Sequence, residues 1–274
     1  MTREPISSEK QKDILLQILE YIDEICVEHD IKYSLCGGTL IGAIRHKGFI
    51  PWDDDIDIML ERTQYEKLIS VLKKDNQYYL LDKNTSGYRK AYAKLCDKRT
   101  YAKSYSKVPI EMGIFVDIFP VDNIPDSQEE EKKFKNKIAI KDNNAYYSRI
   151  TTYNGASSLL KVFLKTIICF PLYVKSRING NMYTQVSQLE SYSQKYNNQK
   201  TKFCGCLTSS CLREKEKYPR EIFNSYSKVL FEGKYFSSIT EYDIYLKQLY
   251  NNYMALPPEG DRINHDFYKW YWKE

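Results

Sequence analysis

Gly37-Gly38-Thr39-Leu40-Ile41-Gly42-Ala43-Ile44-Arg45-His46-Lys47-Gly48-Phe49-Ile50-Pro51-Trp52-Asp53-Asp54-Asp55-Ile56-Asp57-Ile58 is the stretch that decides the fold. It starts on a Gly-Gly turn behind a short extended run, Lys32 to Cys36, and a short helix is expected from Thr39 to about Arg45. Small residues let a backbone approach a phosphate, and the free N–H groups of a helix start bind anions. The stretch ends on Asp53, Asp54, Asp55 and Asp57, four carboxylates within five positions. Side chains alternate along a strand, so Asp53, Asp55 and Asp57 share a face if the strand begins that early, with Ile56 and Ile58 in the core. Like charges at this spacing push one another's pKa upward, and a divalent cation relieves the repulsion. Hard carboxylate oxygens suit Mg²⁺ or Mn²⁺, which also bind phosphates. A solvated acidic turn is the plain alternative. A calcium loop is disfavoured because the twelve-residue EF-hand pattern is absent. A Gly-Gly turn followed by a strand-borne Asp-x-Asp suggests a division of labour, with one part holding phosphates and the other the metal that bridges them.

Working outward, Asp117 stands alone in Gly113-Ile114-Phe115-Val116-Asp117-Ile118-Phe119-Pro120. A lone charge in an apolar strand is costly unless it is paired or metal-bound. A third metal-site carboxylate is the favoured reading, and a pair with a Lys or a place at a strand edge is the alternative. Thr39 offers a hydroxyl. Arg45, His46 and Lys47 lie between the two parts, and a forked guanidinium suits phosphate oxygens. For Lys47 a basic surface turn is the better reading.

Helical spacing of Ile14, Leu15, Ile18, Leu19, Ile22, Ile25 and Cys26 predicts an amphipathic helix over 8–30, with Ser8 and Gln11 as a capping box. Strands are expected over 55–60, 78–81, 88–96 and 113–119, with Pro120 and Pro125 ending the last region, and a helix over 63–74. Beyond residue 125 the chain reads as mostly helical. It has a charge run at 129–137, an apolar stretch at 159–174, a polar helix at 179–198, a strand at 229–236 and a helix at 240–250 capped by Thr240. The fold class is α/β (α+β): a small mixed sheet over residues 1–125, flanked by helices, with residues 126–274 packed on it. The 274 residues suffice for such a core.

The net charge of +5 is mild. It suits an anionic small substrate or an anionic membrane surface and is too weak to argue for nucleic acid. Seven Cys in a chain of this length argue against a disulfide framework. With no apolar leader in residues 1–11, a reducing cytoplasm is the expected compartment.

The quoted stretch resembles the signature of the LicD family, the phosphocholine transferases of bacterial surface glycans that are similar to fukutin and fukutin-related protein. Gly113 to Pro120 matches that family's second block. Tyr253-Met254-Ala255-Leu256-Pro257-Pro258, with Arg262 and His265, is similar to its C-terminal block. The resemblance implies a nucleotidyltransferase-like fold, Mg²⁺ and a CDP-activated donor. It makes Asp55, Asp57 and Asp117 the metal ligands and Gly37, Gly38 and Thr39 the phosphate-holding turn. Asp53, Asp54, Asp55, Asp57 and Asp117 are the catalytic set, with the proton acceptor open among Asp53, Asp54 and Asp117. Arg45, His46, Trp52 and His265 join the turn as substrate-binding candidates. The implied reaction moves phosphocholine from CDP-choline to a sugar hydroxyl of a glycan such as teichoic acid, lipopolysaccharide or capsule. Transfer of another CDP-linked group such as ribitol-phosphate, nucleotidyl transfer, and a non-enzymatic membrane-surface scaffold stay open. Some fukutin-type enzymes carry a metal-binding Cys cluster, but the spacing of Cys204, Cys206 and Cys211 is not a zinc pattern, and buried thiols are expected there.

Two further expectations follow. A lipid-linked acceptor calls for peripheral contact at the inner face of the membrane through Leu159 to Val174, which is shorter than the roughly 20 residues a spanning helix needs and contains Pro171. A core helix is the competing reading. A quaternary ammonium makes no hydrogen bonds, so a choline donor calls for aromatic faces. Trp52 and the terminal rings Trp270 and Trp272 are the candidates, against a tail that merely docks on the core.

Overall fold

A computed structural model describes residues 4–74, 76–104, 112–148, 159–178, 180–209, 213–262 and 268–274. Helix α1 (Ser8–Glu28) buries Ile14, Leu15, Ile18, Leu19, Ile22 and Cys26 along one stripe, as their spacing predicts. Its cap is Ser7 and not Ser8: the Ser7 Oγ accepts from the Lys10 N–H at 3.2 Å. The Gln11 side chain, expected in a capping box, instead donates to the carbonyl of Asp54 at 2.8 Å. The first helix thereby braces the acidic turn.

The main sheet carries β1 (Ser34–Leu35), β2 (Asp57–Glu61), β6 (Phe115–Ile124), β4 (Ala93–Cys96) and β3 (Tyr79–Leu81), in that spatial order. Strands β2 and β6 run parallel and the other neighbours antiparallel, so the sheet is mixed. The parallel pair needs a crossover, and α3 (Arg62–Leu72) begins it, burying Tyr65, Leu68, Ile69 and Leu72. Ile58, Met59 and Leu60 are all buried, as befits a strand covered on both faces.

Strand β6 does not stop at Pro120. It pairs with β4 through Ile118 and with β7 (Phe203–Gly205) from Asp122 onward. Pro120 sits in the gap between these partners, where its missing N–H costs no ladder bond. The expected boundary at residue 125 falls between β6 and α4 (Gln128–Tyr147). Helices α5 (Leu159–Ile178) and α6 (Met182–Ser193) follow, and α4 packs on both. After residue 193 strands return: β7, β8 (Tyr218–Pro219), β9 (Tyr226–Phe231), β10 (Lys234–Ile239) and, after α7 (Tyr242–Tyr250), β11 (Tyr268–Trp272). The single strand expected over 229–236 is a hairpin turning at Glu232 and Gly233, both at positive φ (49° and 76°). The helix at 240–250 starts at Tyr242 with Glu241 at its cap, so Thr240 does not cap it. Strand β11 pairs with β5 (Thr100–Ser104).

Two apolar cores result, one around the sheet and a smaller one between α4 and α6 holding Phe134, Ile138, Val186 and Leu189. Arg62 bridges them. Its Nε and Nη2 donate to the two carboxylate oxygens of Asp122 at 2.8 and 2.5 Å, and Nη1 reaches Glu190 at 3.5 Å. The Asn197 amide donates to the same Asp122 at 2.7 Å. Arg62 and Asp122 are buried. Removing one partner of such a pair strands the other charge, at a cost of about 3–5 kcal/mol. Arg62→Ala should therefore lower the urea midpoint sharply at unchanged slope, and a loss below about 1 kcal/mol would show that the pair does not hold the two cores together.

Candidate active site

Strand β1 delivers the chain to α2 (Gly37–Ile41), which passes into a π turn over Gly42–His46. The helix starts at Gly37, two residues earlier than expected. Gly37 has φ +55°, and a Cβ there would lie 3.2 Å from Asp57 Oδ2; one on Gly38 would lie 2.5 Å from Asp53 Oδ2. The glycines are required because carboxylate oxygens occupy the space above the turn. The Thr39 Oγ1 accepts from the Asp57 N–H at 2.9 Å, so this hydroxyl fixes the start of β2.

Strand β2 begins at Asp57, and Asp53, Asp54 and Asp55 lie in the segment before it. Strand alternation therefore places Asp57 and Ile58 but not Asp53 or Asp55. The register brings the site together: Asp57 pairs with Asp117 across β2 and β6, and Asp117 pairs with Lys94 across β6 and β4. Lys94 Nζ lies 2.5 Å from Asp117 Oδ1 and 3.5 Å from the centroid of the Phe115 ring. Asp117 is thus both paired with a lysine and set beside Asp57. Burial raises the Asp57 carboxyl well above the usual range, and Asp55, Asp117 and Asp53 add to the rise. Burial also raises Asp117, against the pull of Lys94. Asp53 is raised by burial too, with a hydrogen bond from Asp55 opposing.

Lys94 was not singled out from the sequence. The signal was there: it is a lone cation in the apolar run Ala91-Tyr92-Ala93-Lys94-Leu95-Cys96, the counterpart of Asp117 in its own strand. Tyr245 and Tyr250 of α7 were also missed. The Tyr245 hydroxyl accepts from the Gly37 N–H at 3.2 Å, and the Tyr250 hydroxyl would lie 3.6 Å from a Cβ on Gly37. Nothing local in the sequence marks that approach across some 208 residues.

The Arg45 guanidinium donates to the carbonyls of Tyr253 and Ala255 at 2.7 and 3.0 Å, and its Nε donates to His46 Nε2 at 2.9 Å. It ties the π turn to the segment after α7. Trp52 packs on the main core, and the Arg262 guanidinium stacks 4.9 Å from its ring. A cleft of about 290 Å³ is lined by Trp52, Asp53, Asp54, Gln11, Tyr268 and Trp270, among others. Trp270 is buried against Phe115 and docks the tail, while Trp272 is 40% exposed. A larger hollow of about 390 Å³, lined by Glu20, Tyr78, Asp97 and Arg99, contains none of these groups. His265 lies outside the described residues.

The donor set fits a hard divalent cation in kind, because three carboxylates, Asp55, Asp117 and Asp53, add to the rise at Asp57 and Lys94 offsets only part of it. Among the described residues no group of three His, Cys, Asp or Glu side chains is placed to hold a metal ion, and Lys94 supplies the positive charge beside Asp117. Asp57 and Asp117, with Asp55 beside them, are the residues that would hold such an ion.

Behind the turn lies a buried polar layer. Cys204 and Cys206 are buried thiols, as expected, and Cys206 Sγ lies 3.5 Å from the Tyr218 hydroxyl. Cys211 lies outside the described residues. Glu216 accepts from the Cys206 N–H at 3.0 Å, and burial pushes its carboxyl up to about 7 from 4.5. A carboxyl raised on folding stabilises the fold fully below its unfolded pKa and loses that contribution as pH rises through the folded one. Wild-type stability should therefore fall between pH 4.5 and 7 by about 3 kcal/mol from this group. Glu216→Gln should flatten the melting temperature across that window; an unchanged slope would show that Glu216 ionises freely.

Residues 30–155 match the family profile described as LicD/FKTN/FKRP, nucleotidyltransferase domain. Over 266 residues the chain is 31% identical to the lipopolysaccharide cholinephosphotransferase LicD of Haemophilus influenzae, covering 93% of this chain and 94% of that protein. It is 47% identical over 51 residues to an uncharacterised protein of Rickettsia typhi, covering 19% of this chain and 16% of that one. An uncharacterised protein of Rickettsia prowazekii is 36% identical over 84 residues, 31% and 30% of the two chains. The matched span holds the glycine turn, the acidic segment, Lys94 and Asp117, and the chain belongs to the LicD family and is a phosphotransferase.

Proposed function

We propose that the protein transfers phosphocholine from CDP-choline to a sugar hydroxyl of a lipopolysaccharide-type glycan, with Mg²⁺ or Mn²⁺ at Asp57 and Asp117. One observation carries the choice of choline: the cleft lined by Trp52, Tyr268 and Trp270 shares Asp53 and Asp54 with the acidic segment. Aromatic faces with a negative charge at hand are what a quaternary ammonium requires. The Arg262 guanidinium on Trp52 is in keeping with a ring that attracts cations. The similarity to a lipopolysaccharide cholinephosphotransferase over nearly the whole chain supports the same reading.

In this reading the Gly37-Gly38 turn lets the diphosphate approach the backbone, and the cleft holds the trimethylammonium end. The sugar oxygen attacks the phosphorus bearing choline, the bond from that phosphorus to the CMP oxygen breaks, and CMP leaves with the electron pair. Asp53 takes the hydroxyl proton; it lines the cleft and lies over Gly38, and burial raises its carboxyl above the usual range, which makes it a stronger base. A bound divalent ion would neutralise the diphosphate and the departing phosphate. Lys94 holds Asp117 beside Asp57 through its own ion pair.

Incubation with labelled CDP-choline, a divalent salt and a lipopolysaccharide acceptor should release CMP and label the glycan. Label carried only from another CDP-alcohol, or pyrophosphate released from a nucleoside triphosphate, would overturn the choline assignment. In the same assay Trp52→Leu should lose preference for CDP-choline over CDP-ethanolamine, on the order of 0.5–2 kcal/mol. Equal loss for both donors would make the ring structural.

The metal has a separate test. Asp57→Asn should abolish turnover yet melt no lower than wild type in a chelator, because it removes a repelled carboxylate. Mn²⁺ at a hundredfold its Kd should stabilise wild type by about 2.7 kcal/mol and leave the variant unmoved. An equal rise in both proteins would place the ion elsewhere.

A further inference from the structure

Helix α5 turns most of its described apolar side chains outward. Phe163 is 62% exposed, Ile167 56%, Ile168 68% and Ile178 79%, where residues of these types are usually buried. At about 100° per residue, Phe163, Leu164, Ile167, Ile168, Val174 and Ile178 fall on one face. The other face lies against protein: Cys169 and Tyr173 are partly covered, Ser176 is buried, and its carbonyl accepts from the Gln185 amide of α6 at 3.1 Å. The core-helix reading fails for the described side chains of this stretch, since Phe163, Leu164, Ile167, Ile168 and Phe170 are exposed and point away from both cores.

Charge selects the occupant. Residues 143–189 contain five basic residues, Arg149, Lys161, Lys165, Lys175 and Arg177, and no Asp or Glu. The whole chain has 41 Lys and Arg against 36 Asp and Glu, an excess of five, so this segment carries all of it and the remainder is neutral. No helix among the described residues is long and apolar enough to cross a membrane. We infer that α5 lies flat on an anionic bilayer, its apolar face among the acyl chains and its basic residues at the headgroups. A second copy of the chain fits this face less well, because it would bring the same excess positive charge to the contact.

The test is flotation of the full chain with phosphatidylcholine vesicles made with and without phosphatidylglycerol. Wild type should float with the anionic vesicles, less with the neutral ones, and less again at high salt. The double variant Ile167→Glu, Ile168→Glu changes exposed positions, so its melting temperature should be unchanged while its partition falls about tenfold or more. Protein that stays soluble with both vesicle types overturns the inference, as does a double variant that floats like wild type. A wild-type dimer that the double variant dissolves, without vesicle binding, would assign the face to a second copy. The readout needs neither donor nor turnover, so its failure would leave the assigned reaction standing.

Discussion

Two carboxylates set side by side in adjacent buried strands repel each other, and the pairing of Asp57 with Asp117 imposes that condition on the centre of this sheet. Desolvation and the neighbouring Asp55 and Asp53 deepen it. Lys94, one strand further on, offsets part of it through its contact with Asp117 and lies against the Phe115 ring. Much of the local structure answers to this arrangement. The two glycines are needed because carboxylate oxygens fill the space their side chains would take. The Thr39 hydroxyl and the Gln11 amide fix the backbone on either side of the acidic segment. Carboxylates perturbed by burial and by one another are found preferentially at functional sites.

The local structure around the glycine turn and the acidic segment was largely legible in the sequence, and the reason is locality. Glycine turn, short helix and acidic strand start follow one another within 22 residues, and each has its own chemical signature. Asp117 was legible for the same reason, as a charge in an apolar run. Boundaries were less so: the strand begins at Asp57, too late for Asp53 and Asp55 to share its alternation. Pro120 misled because a proline costs a ladder bond only where a partner strand is present, and pairing is a tertiary fact. The Glu232-Gly233 hairpin was missed because Glu is an unusual residue at positive φ. Lys94, Tyr245 and Tyr250 join the site only through pairing and packing across long sequence distances.

The second half of the chain does more than cover the first. Strand β7 extends β6, α7 brings Tyr245 and Tyr250 to the glycine turn, and β11 carries Tyr268 and Trp270 to the cleft beside Trp52. Arg45 fastens the π turn to the segment after α7. The candidate site draws on both ends of the chain, so a motif confined to residues 37–58 leaves the groups around the cleft unread. The groups nearest the cleft come from residues 5–11, 51–54 and 268–270.

We propose that the Asp57–Asp117 pair holds a divalent ion against the diphosphate of the donor. Crystals grown with Mn²⁺ and CDP-choline, measured at the manganese edge, test it most directly. An anomalous peak is expected between the two carboxylates, with diphosphate oxygens completing its coordination above the Gly37-Gly38 turn. A peak elsewhere, or a donor bound with its diphosphate away from that turn, would contradict it.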